Sequence, residues 1–333
     1  MKHVIIGAGA AGITAAKTIK DLDNKAEVVV IGGEGFPPYK RYLLRECLCG
    51  CIKKEELIFI TLESLKELGI KLRKGEYVKA ISPYENVIKF SHNEVMHYDK
   101  LLIATGGMTG LGPVLRPFKK HIQRFCSLQD ITVLKEKLPE VQTCIVAGDG
   151  ISSLDLICGL HNMGKKITYI VKGKQADFSL DDPEVYGEIH DFLKEKGIEI
   201  ITEDRIVSIE ESNNHYRVET LKHKKLDADL IFSWDYYRPN IKFIEGSGIE
   251  KKLGILVNDR LETSAEHIYA AGDCVEIYHP GIKNYWINFG WTNALEQGRV
   301  AGKNMMGQTE AYKIRDAIVF NLMGKPLKAR WWK

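Results

Sequence analysis

One pattern occurs twice in this chain, and it leaves few folds open: a short apolar strand, a glycine-rich turn, a helix and a second apolar strand. The first copy runs through Val4-Ile5-Ile6, then Gly7-Ala8-Gly9-Ala10-Ala11-Gly12, a helical segment to about Leu22, and a strand over Glu27–Ile31. The second runs through Thr143–Ala147, then Gly148-Asp149-Gly150-Ile151-Ser152-Ser153, a helix to about Met163, and a strand over Ile167–Val171. Neither copy repeats at the short period of a solenoid. Units of this kind open α/β domains built on a parallel sheet. In the G-x-G-x-x-G turn the first glycine permits the tight turn, the second admits a phosphate to the backbone, and the third lets helix and strand pack closely. The helix N-terminus adds unpaired N–H groups for an anion. An acidic residue past the second strand suits ribose hydroxyls, and Glu34 stands there. Gly7, Gly9, Ala10, Ala11, Gly12 and Glu34 therefore form a candidate dinucleotide site, and Gly148, Gly150, Ser152 and Ser153 a second one in which a serine replaces the last glycine. Two such units suggest one flavin and one nicotinamide, with hydride passing between them.

The totals suit that reading. A chain of 333 residues has room for two domains, and 44% hydrophobic with 27% charged residues is ordinary for a globular protein. A net charge of +3 gives no bulk attraction to nucleic acid or to a membrane surface. No apolar run is long enough to span a bilayer. The start, broken by glycines, lacks the layout of a signal peptide, so a cytoplasmic location is expected. Seven cysteines, an odd number with no C-x-x-C spacing, argue against a disulfide framework.

Between the two copies, the strand Lys100–Ile103 runs into Ala104-Thr105-Gly106-Gly107, and Gly110-Leu111-Gly112-Pro113 marks a crossover. After the second copy come strand-like stretches around Ile198–Ile209, Tyr216–Leu221 and Leu230–Ser233, and Arg238-Pro239-Asn240 marks the return. A strand at Ile268–Ala271 stops at Gly272-Asp273, and a helix is expected from about Thr292 to Met306.

Gly7–Gly12 with Glu34, Pro38-Tyr39-Lys40-Arg41, Leu102–Gly106, Gly148–Asp155, Arg238-Pro239-Asn240, Ile255–Asp273 and Trp291–Ala294 with Gln297-Gly298, in that order, resemble the pyridine nucleotide-disulfide oxidoreductase superfamily. The branch they are most similar to holds NAD(P)H-dependent rubredoxin, ferredoxin and nitrite reductases. The resemblance implies two Rossmann-like domains, with the FAD domain split by an inserted NAD(P) domain. The expected boundaries are 1–112 and 241–308 for the FAD domain, 113–240 for the NAD(P) domain, and 309–333 for a short tail standing for a vestigial third domain. It implies FAD and NAD(P)H as cofactors. It adds Gly33, Arg41, Val78, Ala104, Thr105, Gly106, Gly272, Asp273, Asn293 and Ala294 to the flavin site, and Asp155 and Lys172 to the nicotinamide site. Asp273 resembles the acid that bonds the ribityl chain, and the helix near Thr292 would aim its positive end at the flavin. Tyr39 and Arg41 lie in the stretch that lines FAD in relatives.

Five features depart from the family. Cys47-Leu48-Cys49-Gly50-Cys51 has neither spacing of a redox-active disulfide, although Cys47 and Cys51 at i, i+4 would share a helical face. Ser153 is expected to loosen the helix–strand contact. Val171 replaces the acid that favours NAD, and Lys172 and Lys174 tilt toward NADP. Tyr236 stands where relatives carry a glycine, and would crowd the nucleotide or stack on it. Finally Phe320–Gly324 resembles the opening strand of a third domain, followed by a basic tail with Trp331 and Trp332 suited to docking.

The leading expectation is an FAD-dependent oxidoreductase passing electrons between NAD(P)H and an iron–sulfur carrier of ferredoxin or rubredoxin type, with no side chain assigned a catalytic role and no metal set. One alternative is a flavin-bearing subunit of a larger redox complex with weak use of NAD(P). Another is a thiol or disulfide reductase using Cys47, Cys49 or Cys51.

Overall fold

The computed structural model describes residues 1–173, 183–212, 215–315 and 318–329. The chain forms two compact units. The first comprises Met1–Lys40, Ile58–Met108 and Arg238–Arg315, and the second Arg41–Leu57, Thr109–Tyr237 and Asp316–Lys333. The elements that carry the argument are, in chain order, β1 (Lys2–Ile6), α1 (Ala10–Leu22), β2 (Glu27–Gly32), α2 (Leu44–Leu48), β3 (Lys100–Ile103), β4 (Thr143–Ala147), α3 (Ile151–Asn162), β5 (Lys166–Ile170), β6 (Leu230–Ser233), β7 (Ile268–Ala270) and α4 (Trp291–Met305).

In the first unit a five-stranded parallel sheet runs β7-β3-β1-β2 and then Ile70–Lys74. Its central strands are buried almost throughout, which is why they appear in the sequence as unbroken apolar runs rather than alternating ones. Ile5, Ile13, Ile19, Leu102 and Val300 lie in one core with them. A three-stranded antiparallel meander, Val78–Ser82, Val87–Phe90 and Val95–His97, leads back into β3.

The second unit repeats the plan. Its parallel sheet runs Glu199–Ile201, β5, β4, β6, Ile122–Gln123. An antiparallel meander of Ile206–Ser212, His215–Thr220 and Lys225–Ala228 precedes β6. In both units β1 or β4 sits between two strands reached by different crossovers. Such a switch point leaves a crevice at the carboxyl ends of the strands.

Residues 325–329, read from the sequence as the start of a tail, are a strand instead. Ile318–Leu322 and Lys325–Ala329 pair antiparallel around Met323-Gly324, both with positive φ, with Leu322 and Leu327 buried. That two-residue turn matches the twist of a hairpin. Trp331 and Trp332 lie outside the described residues. Among the described residues no helix is long and apolar enough to cross a membrane.

One polar residue in the first core sets a pH limit. His3 on β1 is fully buried, and neither ring nitrogen has a hydrogen-bond partner among the described residues. Burial holds its pKa below the ordinary histidine value of about 6.5. The folded state therefore takes up the proton less readily than the unfolded chain. Stability is retained above pH ~6.5 and falls as the pH drops below it. His3→Leu is expected to flatten this slope and to add about 1 kcal/mol at neutral pH, since unsatisfied buried polar groups cost ~1–3 kcal/mol. Thermal melts of both proteins at pH 5 and pH 7.5 check this; parallel pH slopes for the two would refute it.

Candidate functional site

In the first unit three glycines of the turn have distinct roles. Gly7, at φ +121°, lies so close to β3 that a Cβ would overlap the Ala104 carbonyl. A Cβ on Gly12 would overlap the carbonyl of Gly7. Gly9 has open space around it and is the N-cap of α1, with no side chain closing the helix end. Ala10 and Ala11 form the first helical turn, which carries no acidic residue. The result is a bare, positively polarised helix end facing a space kept clear of side chains.

The carboxyl end of β7 meets this corner. Gly272, at φ +85°, donates its N–H to Gln297 Oε1 at 2.7 Å, and Gln297 is fully buried. Asp273 Oδ1 accepts from the N–H of Gly290, the N-cap of α4, at 3.2 Å. No side chain caps α4 through a hydrogen bond of Gly290 itself, so a second helix N-terminus opens here. Asn293 in its first turn donates to the Phe289 carbonyl at 2.7 Å, and Ala294 packs beside Gly272. Thr105, just past β3, keeps a buried hydroxyl with no hydrogen-bond partner among the described residues. Gly106 accepts from the N–H of Asn240 at 2.9 Å.

Helices α1 and α4 meet through small residues. Gly298 and Gly302, one turn apart, face Ala11 and Ala15. A Cβ on Gly298 would overlap the Ala11 carbonyl, and one on Gly302 would stand 2.9 Å from the Ala15 carbonyl. The backbones touch, so the two helix ends are set by main-chain contact.

Glu34 follows β2 and accepts from the Tyr39 hydroxyl at 2.8 Å. Gly33 lies under the ring of Tyr77, and Val78 is half-buried against the core. Arg41 belongs to the second unit, where its guanidinium donates to the Cys126 carbonyl. Elsewhere in the first unit Glu76, His92 and Glu94 have the spacing of metal ligands. Arg73 already binds both carboxylates, at 2.8 Å and 2.6 Å, and holds Glu94 down to about 2.

In the second unit Gly148, at φ +142°, presses against the end of β6: a Cβ would stand 2.8 Å from the Trp234 carbonyl. Gly150 is the N-cap of α3, again without a side-chain cap, and Ser152 is exposed in the first turn. Ser153 does not loosen the turn. Its buried hydroxyl donates to the Gly148 carbonyl at 2.6 Å, and the Tyr169 hydroxyl donates to the same oxygen at 3.2 Å. A close-packed glycine is replaced by a tether. Lys172 Nζ pairs with Asp235 Oδ1 at 2.6 Å. Lys174 lies outside the described residues. Tyr236 lays its ring against Gly110, where a Cβ would come within 2.5 Å of it.

Segment 41–57 folds against α3. Arg45 on α2 pairs with Asp155 on α3 at 2.9 Å. Burial pushes the Asp155 carboxyl up to about 6, against the pull of Arg45. The cysteines do not share a helical face as their spacing suggests, because α2 ends at Leu48. Gly50, at φ +76°, turns the chain so that the Cys51 N–H bonds back to the Glu46 carbonyl at 2.8 Å. This closure brings together Cys49 and Cys51, with sulfurs 2.9 Å apart, and leaves Cys47 buried. Burial and the Cys51 thiol raise the Cys49 pKa.

Two parallel sheets, each with a glycine turn feeding a bare helix end at its switch point, define a two-dinucleotide α/β protein. The chain belongs to the pyridine nucleotide-disulphide oxidoreductase family, whose model matches residues 1–301. It is 29% identical over 306 residues to the assimilatory nitrate reductase electron transfer subunit of Bacillus subtilis, covering 91% of this chain but 39% of that protein. It is 28% identical over 315 residues to the NADH-rubredoxin oxidoreductase of Clostridium acetobutylicum, covering 93% of this chain and 76% of that one. Its fold matches the covalent putidaredoxin reductase–putidaredoxin complex at a TM-score of 0.90 and 22% identity, over 98% of this chain and 80% of that one. Members of this family bind FAD and NAD(P)H. The first unit fits FAD on its own geometry: a space that glycines keep clear, the uncapped end of α1 beside the glycine-capped end of α4, and an orphan hydroxyl.

Three residues of these sites carry weight that sequence reasoning did not assign. Gln297 holds the Gly272 corner, Asp235 holds Lys172, and Arg45 holds Asp155. Only Gln297 had a signal in the sequence, as part of the Gln297-Gly298 pair that resembles the family.

Proposed function

We propose that this chain is an FAD-dependent oxidoreductase that passes electrons between NAD(P)H and a protein carrier of iron–sulfur or rubredoxin type. The observation that carries the reading is the repeated cradle, one in each unit, each with a helix end left uncapped. When bound, FAD accepts an electron pair from a reduced nicotinamide and releases electrons singly. The end of α1 would receive the pyrophosphate, Glu34 the ribose hydroxyls, and Asp273 a hydroxyl of the ribityl chain. The end of α4 favours negative charge on the flavin. The first-turn amides of α3 would receive the pyrophosphate of the nicotinamide nucleotide. None of these residues needs to move a proton, so positioning and electrostatics are the protein's whole contribution. The names of the relatives support the protein carrier.

Anaerobic titration with NADH and with NADPH tests the reading. The flavin absorbance is expected to bleach with at least one nucleotide. The same result is expected for the variant in which Cys47, Cys49 and Cys51 are all serine, because partial burial and the Cys51 thiol raise the Cys49 pKa and so disfavour its reactive thiolate. An unbleached wild type would remove the reductase reading, and a serine variant that no longer turns over would return the thiol-reductase alternative.

One observation favours a second reading. The crevice at the carboxyl ends of β4, β5 and β6 has a cavity volume of only about 10 Å³, far below the ~300–1,000 Å³ of most ligand pockets. A flavin-bearing subunit of a larger redox complex, with weak use of NAD(P), would have little need of a wider one.

A further inference from the structure

The narrow crevice has an identifiable cause. Strands β5 and β6 flank β4 on opposite sides. Lys172 follows β5 and Asp235 follows β6, so their 2.6 Å ion pair crosses the carboxyl end of β4, where the glycine turn begins. Asp235 is held on both sides. Its Oδ2 accepts from the Gly112 N–H at 2.6 Å, and its own N–H donates to the Gly110 carbonyl at 2.8 Å. Lys172 is steadied in turn by its N–H, which donates to Asp149 Oδ1 at 3.3 Å. The pair lines the crevice together with Gly148, Arg205 and Trp234.

The charges of the crevice are nearly balanced. Lys172 and Arg205 bring two positive charges and Asp204 and Asp235 two carboxylates, with Asp149 beside the Lys172 backbone. Asp204 is committed elsewhere: it accepts from the Thr220 hydroxyl and from the backbone of Arg205 and Lys222, and these bonds hold its pKa below the ordinary value. Asp235 is thus the carboxylate that neutralises the cation nearest the turn. A dinucleotide lying along the carboxyl ends of these strands would meet a closed bridge.

We propose that Lys172 and Asp235 form a latch across the second dinucleotide cradle, opened when a nucleotide phosphate replaces the Asp235 carboxylate on Lys172. Asp235 is then a positioning residue that competes internally for the lysine. It lowers the affinity for every nucleotide, and most for one that carries an additional 2′-phosphate. The latch rests on the reading of the second unit as the nicotinamide site.

Calorimetric titration of the oxidised, FAD-loaded protein with NAD⁺ and NADP⁺ tests it without turnover. Asp235→Asn keeps an oxygen for the Gly112 N–H and removes only the charge. It is expected to tighten NADP⁺ binding about tenfold and NAD⁺ binding about threefold, the order of one charge-assisted contact. In a Lys172→Met background the same substitution should change neither. Asp235→Ala provides a second probe, and equal flavin content and melting temperature show that each variant is folded. Unchanged or weaker binding by both Asp235 variants would overturn the latch, as would equal tightening in the Lys172→Met background. If the wild type and every variant bind neither nucleotide, and NADH leaves the flavin spectrum unchanged, the nicotinamide site itself is refuted.

Discussion

Gly298→Ala is expected to lower flavin content and melting temperature together. Its methyl group has no room, because it would enter the Ala11 carbonyl. That atom is main chain, so no side-chain rotation relieves the overlap, and α4 must back away from α1. Overpacking of this kind costs ~1–3 kcal/mol and occasionally more, worth several degrees of melting temperature in a chain of this size. The displaced elements carry both helix ends of the first unit, so the cradle loses its shape as well as its stability. Gly302→Ala separates the two effects. Its Cβ would stand 2.9 Å from the Ala15 carbonyl, one turn further from the cradle. It is expected to cost stability while retaining FAD. Flavin absorbance per protein and thermal melts of both variants decide the matter. Full flavin content in Gly298→Ala would show that the helix contact does not shape the cradle.

Asp273→Ala is expected to reduce FAD affinity by roughly 10- to 100-fold, the equivalent of one charge-assisted hydrogen bond of ~1.5–3 kcal/mol. The carboxylate has two roles. It accepts from the Gly290 N–H at the start of α4, and it stands beside the Gly272 corner that Gln297 fixes. Its removal takes away an acceptor at the helix start, worth ~0.5–2 kcal/mol in ordinary caps, as well as the proposed contact to the ribityl chain. Asp273→Asn retains an acceptor for Gly290 and should recover part of the loss. Fluorescence titration of the apoprotein with FAD measures all three proteins. Equal affinities would remove Asp273 from the flavin site.

The local parts of the fold were legible because they are local. The apolar runs at Val4–Ile6 and Thr143–Ala147 lie within β1 and β4, and the helix expected to end near Leu22 does so. Those strands are buried on both faces, and that alone makes an unbroken apolar run. Ser153 shows the limit. A residue that departs from a glycine pattern looks like a defect until its hydroxyl is seen on the Gly148 carbonyl. Asp235 lies 123 residues from Gly112, and Arg45 lies 110 from Asp155. No periodicity reports such pairs, since they depend on how the two sheets order their strands. The cysteine cluster misled for a similar reason: a spacing of four suggests a shared face only while the helix continues, and Gly50 ends it.

The second unit draws on three separate stretches of chain, Arg41–Leu57, Thr109–Tyr237 and Asp316–Lys333. Its early stretch emerges from the ribosome long before the hairpin that completes it. The amino-terminal stretch of the first unit must likewise wait for β7 and α4. Neither unit can therefore be built from one continuous stretch of chain. The second unit's parallel sheet is complete once β6 has emerged, whereas the first sheet lacks its edge strand until β7 is made, so the apolar edge of β3 is the part of the nascent chain a chaperone would cover.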